Sequence, residues 1–289
     1  RCNMGDAAIV SYIRYFIDRV CNPPPNVSLE FSLPSGQAHV LTTPRRSPFQ
    51  PSDISLGSIF MCLDIPNVLH AVNCLLQEQR ILVVSRQRSL LFSVCYALLQ
   101  FIWPFQWKYT FIPVLPDRLL SFIRSQRPYL LGLHPRHLRR PDGSDNTDGL
   151  VVLDLDQNRI TMPMSVLPMP EDEVTRTKSV LSLLLQNDLS QFDNIDFIPS
   201  NFPPRLPHFD TLIRLTFLDL LYRLFASVKN NLIEISRGKP RLVYFKIQHF
   251  VSEKESEGRW DEQQSKWSRE KARAFYLCVC KKPIFWQFY

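Results

Sequence analysis

The central third of the chain alternates between short apolar runs and amphipathic segments. Three runs of four to six residues contain almost no charged residue; they span 81–84, 110–115 and 129–133. Such runs are typical of strands that are covered on both faces, as in a parallel sheet. Between the first two, apolar residues recur at steps of three and four over 89–103. This spacing predicts a helix that Ser89 caps and Pro104 stops.

Two further amphipathic segments complete the alternating pattern. The first, at 66–79, leads into the first strand; Asp64 lies at its cap position, and Pro66 falls in the first turn, where a missing N–H is harmless. The second, at 117–123, begins at Asp117 and joins the second and third strands. Helices and strands that alternate in this way indicate an α/β fold. We predict a three-layer module with a mostly parallel central sheet.

The chain before this module has a different pattern. An amphipathic helix is predicted over 7–20. Apolar and polar residues alternate over 28–41 around a turn at Ser35 and Gly36, which predicts a hairpin. Three prolines and two arginines between 43 and 55 indicate an extended surface connection. We interpret 1–55 as the tail of an upstream lobe and a connecting segment.

The chain after the third strand first continues the sheet and then becomes mainly helical. A polar, basic loop at 135–149 leads to a strand at 150–155, which turns into a second strand at 159–162. Apolar periodicity then predicts three helices, at 175–186, 209–228 and 268–280. The helix at 209–228 is apolar on most sides, so we expect it to be deeply buried.

The remaining downstream segments carry weaker patterns. They are a wrapping connection at 190–207, a stretch of either strand or helix at 241–251, and a charged surface loop at 253–264. We therefore predict a central α/β module at 56–162, followed by a mainly helical region at 163–289.

Cysteine usage and hydropathy place the protein in a broad class. The seven cysteines form no CxxC pair, and most lie in apolar runs, such as Cys74 and Cys95. We expect buried free thiols in a reducing compartment. No apolar run reaches the roughly 18–20 residues that a membrane-spanning helix needs, so we predict a soluble, cytoplasmic protein. Because the chain begins with Arg1, we interpret it as a piece of a longer protein.

The charge balance is basic. The formal net charge is +7 and the isoelectric point is about 9.1. The arginines cluster in four places, at 45–46, 86–88, 124–127 and 136–140. Such clusters suit acidic lipid headgroups, nucleic acid or an acidic protein surface. A mildly basic, solvated surface is the simpler interpretation of each cluster.

Motifs for nucleotide or covalent chemistry are missing from the sequence. The first strand is followed by SRQRS instead of a glycine-rich phosphate loop, and neither GxGxxG, GxxxxGK[ST] nor GxSxG occurs. His134 and His137 have no third ligand nearby in sequence, and Asp154 and Asp156 are interpreted as turn residues. We expect no catalytic residue, no metal and no cofactor. Aromatic residues around Trp107 fit a sheet-end cluster better than a base-stacking surface, so nucleic acid is not an expected partner.

Several motifs, taken in their order along the chain, resemble the DENN domain family. They are FMCLDIPNVLHAVNCLLQEQRILVVS at 60–85, SLLFSVCYALLQFIWPFQWKYTFIPVLP at 89–116, PYLLGLH at 128–134 and VVLDLD at 151–156. Within these motifs the likeness rests especially on the following residues: Asn67, the corner at 78–80, Pro104, Phe105, Trp107, and the pairs at 112–113 and 115–116. LPSG at 33–36 and the terminal IFWQFY are also similar to family segments. The resemblance covers nearly the whole chain and is strongest from 56 to 156.

The resemblance implies a guanine-nucleotide exchange factor for Rab GTPases that acts in membrane trafficking. Such proteins clasp the Rab between a longin-like lobe and an α/β-plus-helical lobe; we expect the longin-like lobe to be largely absent from this chain. Exchange then consists of holding the Rab switch regions in a nucleotide-free shape, without covalent catalysis, so we do not expect an enzyme. The alternative is a DENN-like scaffold or regulatory lobe that binds a partner without exchange activity.

Polar residues in the loops at strand ends are the candidate partner contacts, because loops on a rigid scaffold commonly carry binding. These residues are Ser85, Arg86, Arg88, Gln106 and Lys108. The expected partner is a Rab-family small GTPase. Besides this partner, peripheral contact with acidic vesicle or endosomal membranes is a further possibility.

Overall fold

The computed structural model describes residues 6–20, 24, 27–33, 36, 38–42, 54–138, 149–190, 209–235, 242–257 and 266–286. The chain divides into two compact units, Arg1–Asp53 and Ile54–Tyr289. The domain limits predicted from the sequence, at 55/56 and 162/163, stay predictions.

The described residues of the first unit form a helix and a hairpin. Its elements are α1 (Asp6–Arg19), β1 (Ser28–Ser32) and β2 (Ala38–Thr42). The two strands pair antiparallel, with Ser28 opposite Thr42, so the predicted helix and hairpin are both confirmed. Phe16 of α1 meets Phe31 of β1 edge to face, with ring centroids 5.7 Å apart.

The second unit is built on a five-stranded sheet. Its first elements are α2 (Ile65–Leu76), β3 (Arg80–Val84), α3 (Arg88–Phe101), β4 (Thr110–Ile112), β5 (Tyr129–Leu133), β6 (Val151–Asp154) and β7 (Arg159–Thr161). The strand order is β4-β5-β3-β6-β7, and every pair is parallel except β6–β7. Leu82 of β3 lies opposite Leu131 of β5 and Val152 of β6. The mostly parallel sheet of the predicted α/β class is therefore confirmed, with β3 at its centre.

Side chains alternate along β3 between two separate cores. Ile81 and Val83 belong to a large core that includes the buried faces of α2 and α3. Leu82 and Val84 belong to a smaller core, which the 3₁₀ helix Asp117–Arg124 covers on the other face. Each such fully buried aliphatic side chain contributes about 1.5–3 kcal/mol. The sheet is therefore the middle one of three layers.

Two predicted elements end earlier than expected. β4 ends at Ile112 because Pro113 has no N–H to donate to a ladder. The N–H of Leu115 instead donates to the carbonyl of Gly132 at 2.8 Å, across the neighbouring strand. The helix predicted at 66–79 ends at Leu76, since Glu78 has a φ of 52°, a left-handed conformation that terminates a helix.

None of the three side chains predicted to cap a helix does so. Asp64 is the cap residue of α2, but its side chain makes no capping hydrogen bond. α3 begins at Arg88, with Gln87 instead of Ser89 at the cap position. The carboxylate of Asp117 accepts hydrogen bonds from the Arg136 guanidinium at 3.2 Å instead of capping its own helix.

The downstream region is mainly helical, as predicted. Its elements are α4 (Glu171–Ser190), α5 (Phe209–Phe225), a 3₁₀ helix (Ala226–Asn231), β8 (Leu232–Ile235), β9 (Leu242–Phe245), α6 (Ile247–Glu257), α7 (Lys266–Cys280) and α8 (Pro283–Trp286). The ambiguous stretch at 241–251 is a strand followed by a helix, and the start of the predicted charged loop at 253–264 is helical. The wrapping connection predicted at 190–207 and most of the loop at 135–149 lie outside the described residues.

α5 joins the downstream helices to the central module. Phe217 of α5 stacks on Phe101 of α3, with ring centroids 4.1 Å apart, and both side chains lie in the large core. The expectation that this helix is deeply buried is confirmed for its inner face and was wrong for its outer face. Leu215 is 44% exposed and Tyr222 is 68% exposed.

The described cysteines agree with the prediction of free thiols in the core. Cys74, Cys95 and Cys280 are buried and Cys62 and Cys278 are half-buried, and none of these five forms a disulfide. Burial raises the pKa of Cys74 and Cys280 to about 12 and that of Cys95 further still. These thiols therefore stay protonated and behave as small apolar side chains.

Candidate functional site

The loop between β3 and α3 is anchored by one carboxylate from the β6–β7 turn. Asp156 accepts a hydrogen bond from the Ser85 hydroxyl at 2.8 Å and another from the Arg86 backbone N–H at 3.0 Å. The Ser85 hydroxyl oxygen in turn accepts from the backbone N–H of Gln87 at 3.1 Å. The backbone of the loop is thus fixed at the carboxyl edge of the sheet.

The turn that carries this carboxylate is itself closed by a second one. Asp154 accepts hydrogen bonds from the backbone N–H groups of Asp156 and Gln157, at 2.9 and 3.0 Å. The interpretation of the two aspartates as turn residues is therefore confirmed. Burial and, secondarily, the charge of Asp156 raise the pKa of the nearby Cys62 thiol, which keeps that thiol protonated.

The fixed loop presents two cations to solvent. The Arg86 side chain is 83% exposed, with its Nε 3.9 Å from Asp156, and Arg88 is exposed at the start of α3. Ser85 has no exposed surface, so it acts on a partner only through the loop that it holds. The geometry therefore gives Ser85 a positioning role and makes Arg86 and Arg88 available for contact.

The other two predicted contacts lie at the opposite edge of the sheet, where the parallel strands begin, here called the amino edge. Gln106 and Lys108 are exposed and precede β4. The first residue of β4, Thr110, lies level with Arg80 at the start of β3. Ser85 lies five residues further along that strand, a distance of about 16 Å. The five predicted contacts therefore form two groups at opposite edges.

At this amino edge a buried carboxylate joins three parts of the chain. Glu78 accepts a hydrogen bond from the Tyr109 hydroxyl at 2.9 Å and one from the backbone N–H of Ile284 at 2.6 Å. Burial, followed by the hydrogen bond and charge of Glu78, raises the pKa of Tyr109 to about 12. Trp107 packs edge to face on Tyr109, with centroids 5.3 Å apart. The motif around Trp107 therefore maintains the fold.

An apolar pocket of about 240 Å³ is formed in part by residues that directly precede Gln106 in sequence. It is lined by Pro104, Phe105, Leu218, Leu221, Tyr222, Phe225, Ala226 and Phe285. Apolar periodicity alone did not reveal this pocket, because its lining comes from three separate segments. One sequence feature could have pointed to the pocket: Tyr222, a side chain with a polar end, lies in a helix whose apolar pattern predicted deep burial.

The described part of the chain contains neither a cluster of metal-ligating side chains nor a membrane-spanning helix. It contains no group of three or more His, Cys, Asp or Glu side chains that could hold a metal ion. Among its helices, none is both long enough and apolar enough to cross a bilayer.

Comparison with protein-family models matches residues 1–158 to the DENN (AEX-3) domain. The chain belongs to the DENN family. It is 30% identical over 184 residues to DENN domain and WD repeat-containing protein SCD1 of Arabidopsis thaliana, covering 63% of this chain and 15% of that protein. It is 30% identical over 162 residues to human DENN domain-containing protein 1A, covering 55% and 16%. It is 28% identical over 199 residues to mouse DENN domain-containing protein 3, covering 67% and 15%. The chain thus matches under a fifth of each relative's length.

The DENN motif residues outside the loops have structural roles. The Asn67 amide donates to both the backbone carbonyl and the side-chain oxygen of Asn158, at 2.9 and 3.0 Å. Asn158 has a φ of 50° at the β6–β7 turn, so Asn67 stabilises a left-handed turn residue. Arg80 donates to the carbonyls of Ser125 and Gly149 at 3.4 and 3.1 Å. Asn67 thus ties the β6–β7 turn to α2, and Arg80 ties two loops to β3.

The anchoring of the β3–α3 loop can be tested by replacing Asp156 with alanine. The substitution removes two acceptor contacts that hold the loop, and we expect a loss of about 1–3 kcal/mol in the free energy of unfolding. The amides of Arg86 and Gln87 should exchange faster with solvent. Denaturant titration and hydrogen exchange measure the two effects. Arg86→Gln is the control, because it removes only an exposed ion pair and should cost about 0–1 kcal/mol; equal losses in both variants would contradict the assignment.

Proposed function

We propose that this chain is part of a guanine-nucleotide exchange factor that releases GDP from a Rab-family GTPase in membrane trafficking. Its membership of the DENN family supports the proposal, because DENN proteins are generally Rab exchange factors. The proposed contact residues are Arg86 and Arg88. The observation that supports them is the anchored loop after β3, which presents both at the carboxyl edge of a parallel sheet. In open α/β sheets this edge is the usual place for binding.

The proposed reaction contains no covalent step in this chain. An exchange factor binds the nucleotide-free GTPase more tightly than the loaded form, and by linkage it lowers nucleotide affinity by the same factor. Each tenfold difference corresponds to about 1.4 kcal/mol of differential binding. The nucleotide and its Mg²⁺ belong to the partner, so a phosphate loop in the DENN chain is not required.

The anchored loop suits this role because its geometry is set before the partner arrives. Asp156 holds the Arg86 backbone, and Ser85 holds the Gln87 backbone. A preorganised loop loses less conformational entropy on binding than a free one. Two exposed guanidinium groups on such a loop favour carboxylates on the facing surface of a GTPase, with planar, two-pronged hydrogen bonding.

The proposal is tested by measuring release of fluorescent GDP from a panel of purified Rab GTPases. The longer protein that contains this chain is expected to accelerate release from at least one Rab, and to bind the nucleotide-free form of that Rab more tightly than the loaded form. The double variant Arg86→Glu/Arg88→Glu should reduce that acceleration roughly tenfold, since two favourable contacts become repulsive.

Arg176→Glu/Lys178→Glu supplies the matched control, because it reverses two exposed charges on α4, away from every candidate contact. It should leave release nearly unchanged if the anchored loop is the contact. A Rab that binds equally well in all nucleotide states, without faster release, would instead support a scaffold or regulatory role. An equal loss in the control variant would overturn the placement of the contact.

A further inference from the structure

The 3₁₀ helix Asp117–Arg124 covers the outer face of the sheet and sorts its side chains onto distinct sides. With three residues per turn, residues three apart in sequence lie above one another. The inner side holds Ile123, which is 3% exposed, and Leu120, which packs on the smaller core. A second row, a third of a turn away, holds Arg118 and Arg124, both exposed. The helix therefore turns two arginines away from the core in one row.

The positive charges of Arg118 and Arg124 are not balanced by acidic residues in the same segment of the chain. Arg127 follows the helix and is exposed. Between 117 and 138, which the structure describes without a gap, Asp117 is the single acidic residue of the sequence. Its carboxylate is already engaged by Arg136 at 3.2 Å and by His137 at 3.0 Å. The outward surface formed by Arg118, Phe122, Arg124 and Arg127, here called the arginine surface, thus has an excess of positive charge.

Apolar side chains are exposed beside these cations. Phe122 lies within the arginine surface and is 41% exposed, and Val114, just before the same helix, is 38% exposed. Arginines around an exposed aromatic ring are typical of protein surfaces that lie in the headgroup region of a bilayer. An exposed valine gains little from stacking on bases but gains free energy in an acyl environment. The combination favours a lipid surface over nucleic acid.

We propose that the arginine surface binds peripherally to bilayers that contain anionic lipids. The guanidinium groups contact acidic headgroups, and Phe122 inserts at the boundary with the acyl chains. Each arginine is expected to strengthen binding roughly fivefold. Because electrostatic attraction is screened beyond about 8 Å at physiological salt, the arginine contribution should weaken as salt rises.

This inference goes beyond the proposed exchange activity and uses other residues. The arginine surface lies on the face covered by the 3₁₀ helix, whereas Arg86 and Arg88 lead into α3, which packs on the opposite face. A lipid contact through the arginine surface therefore leaves the anchored loop available to a partner in solution.

The proposal is tested by cosedimentation of the 289-residue chain with phosphatidylcholine vesicles, with and without phosphatidylserine. The chain should sediment with the phosphatidylserine vesicles and less so at high salt. The variant Arg118→Glu/Arg124→Glu/Arg127→Glu should lose this binding by at least a hundredfold, as three contacts of about fivefold each predict. Phe122→Ser should reduce the part of the binding that persists at high salt.

A control with the same change in net charge separates the surface from overall charge. Arg176→Glu/Lys178→Glu/Arg269→Glu alters three exposed positions on α4 and α7 and should retain binding to phosphatidylserine vesicles. Thermal melting checks that every variant is folded, and exchange in solution should be unaffected by the arginine-surface variant. Equal losses in both triple variants, binding to heparin without binding to vesicles, or equal binding to both vesicle types would overturn the proposal.

Discussion

Replacing Gly132 with alanine is expected to destabilise the α/β module strongly. Gly132 lies in β5, paired with Val83 of the central strand. A Cβ there would lie 1.8 Å from the carbonyl oxygen of Pro113 and 3.2 Å from the Cβ of Leu91. The first atom belongs to the backbone, so no change of side-chain conformation relieves the clash. The backbone of residues 113–115, which lies against β5, must therefore move, and the hydrogen bond from Leu115 is disturbed with it.

The expected cost is about 4 kcal/mol or more, above the usual range for overpacking because backbone must shift. This is a large part of the roughly 5–15 kcal/mol that stabilises a typical domain. Circular dichroism and denaturant titration of the purified chain measure it. Gly149→Ala is the control: its new Cβ meets only the flexible end of Arg80, at 3.3 Å, although its φ is 68°. It should cost about 1–2 kcal/mol from backbone strain; a Gly132→Ala chain as stable as the control would refute the argument.

Replacing Glu78 with alanine is the second substitution with a large expected effect. It leaves the buried N–H of Ile284 and the hydroxyl of Tyr109 without their acceptor. Each buried donor without a partner costs about 1–3 kcal/mol, so we expect a total loss of about 2–4 kcal/mol. The loss should be accompanied by faster hydrogen exchange in α8, because Glu78 supplies an acceptor that the first turn of this short helix otherwise lacks.

The packing of α8 amplifies this effect. Phe285 of α8 contacts the rings of Phe105, Phe225 and Phe245, with centroids 5.4 to 6.4 Å apart. Glu78→Gln is the matched control, since its carbonyl oxygen can still accept from Ile284, and it should cost about 1 kcal/mol. Denaturant titration and hydrogen exchange compare the two. If alanine and glutamine had the same effect, the carboxylate would not be the acceptor that matters.

The same hydrogen bond predicts a dependence on alkaline pH. The pKa of Tyr109 is raised to about 12 in the folded chain, against about 10 for an unfolded tyrosine. The contribution of this hydroxyl to stability is therefore complete below pH 10 and is lost as the pH rises through about 12. Tyr109→Phe should remove this part of the alkaline loss. Denaturation at stepwise pH, followed with tyrosinate absorbance, shows whether it does.

Local patterns predicted the elements of the central module well because they record burial directly. The uncharged runs at 81–84 and 129–133 became buried strands, and the apolar spacing at 66–79 and 89–103 became α2 and α3. Their ends were predicted less well. β4 stops at Pro113 and α2 stops before Glu78, where backbone conformation and hydrogen bonding override the apolar pattern.

The candidate contacts show the limit of reasoning from loops in sequence. Ser85 and Gln106 both lie beside strands, and nothing in their local sequence states which edge each one occupies. The parallel register of β3, β4 and β5 places Ser85 after its strand and Gln106 before its strand, at opposite edges. The pocket beside Phe105 was missed for a related reason, because Tyr222 and Phe285 are distant from it in sequence.

The sequence by itself determined the class of fold, the order of the strands and helices in the central module, and the family motifs, because hydrophobic periodicity and turn residues act over a few positions. The tertiary structure alone decided what each polar group contacts. Ser85 meets Asp156 across 71 residues of chain, and Glu78 meets Ile284 across 206. Such pairs depend on strand order and helix packing. Both arise from contacts between distant segments, and such contacts produce no periodic pattern in the sequence of either segment.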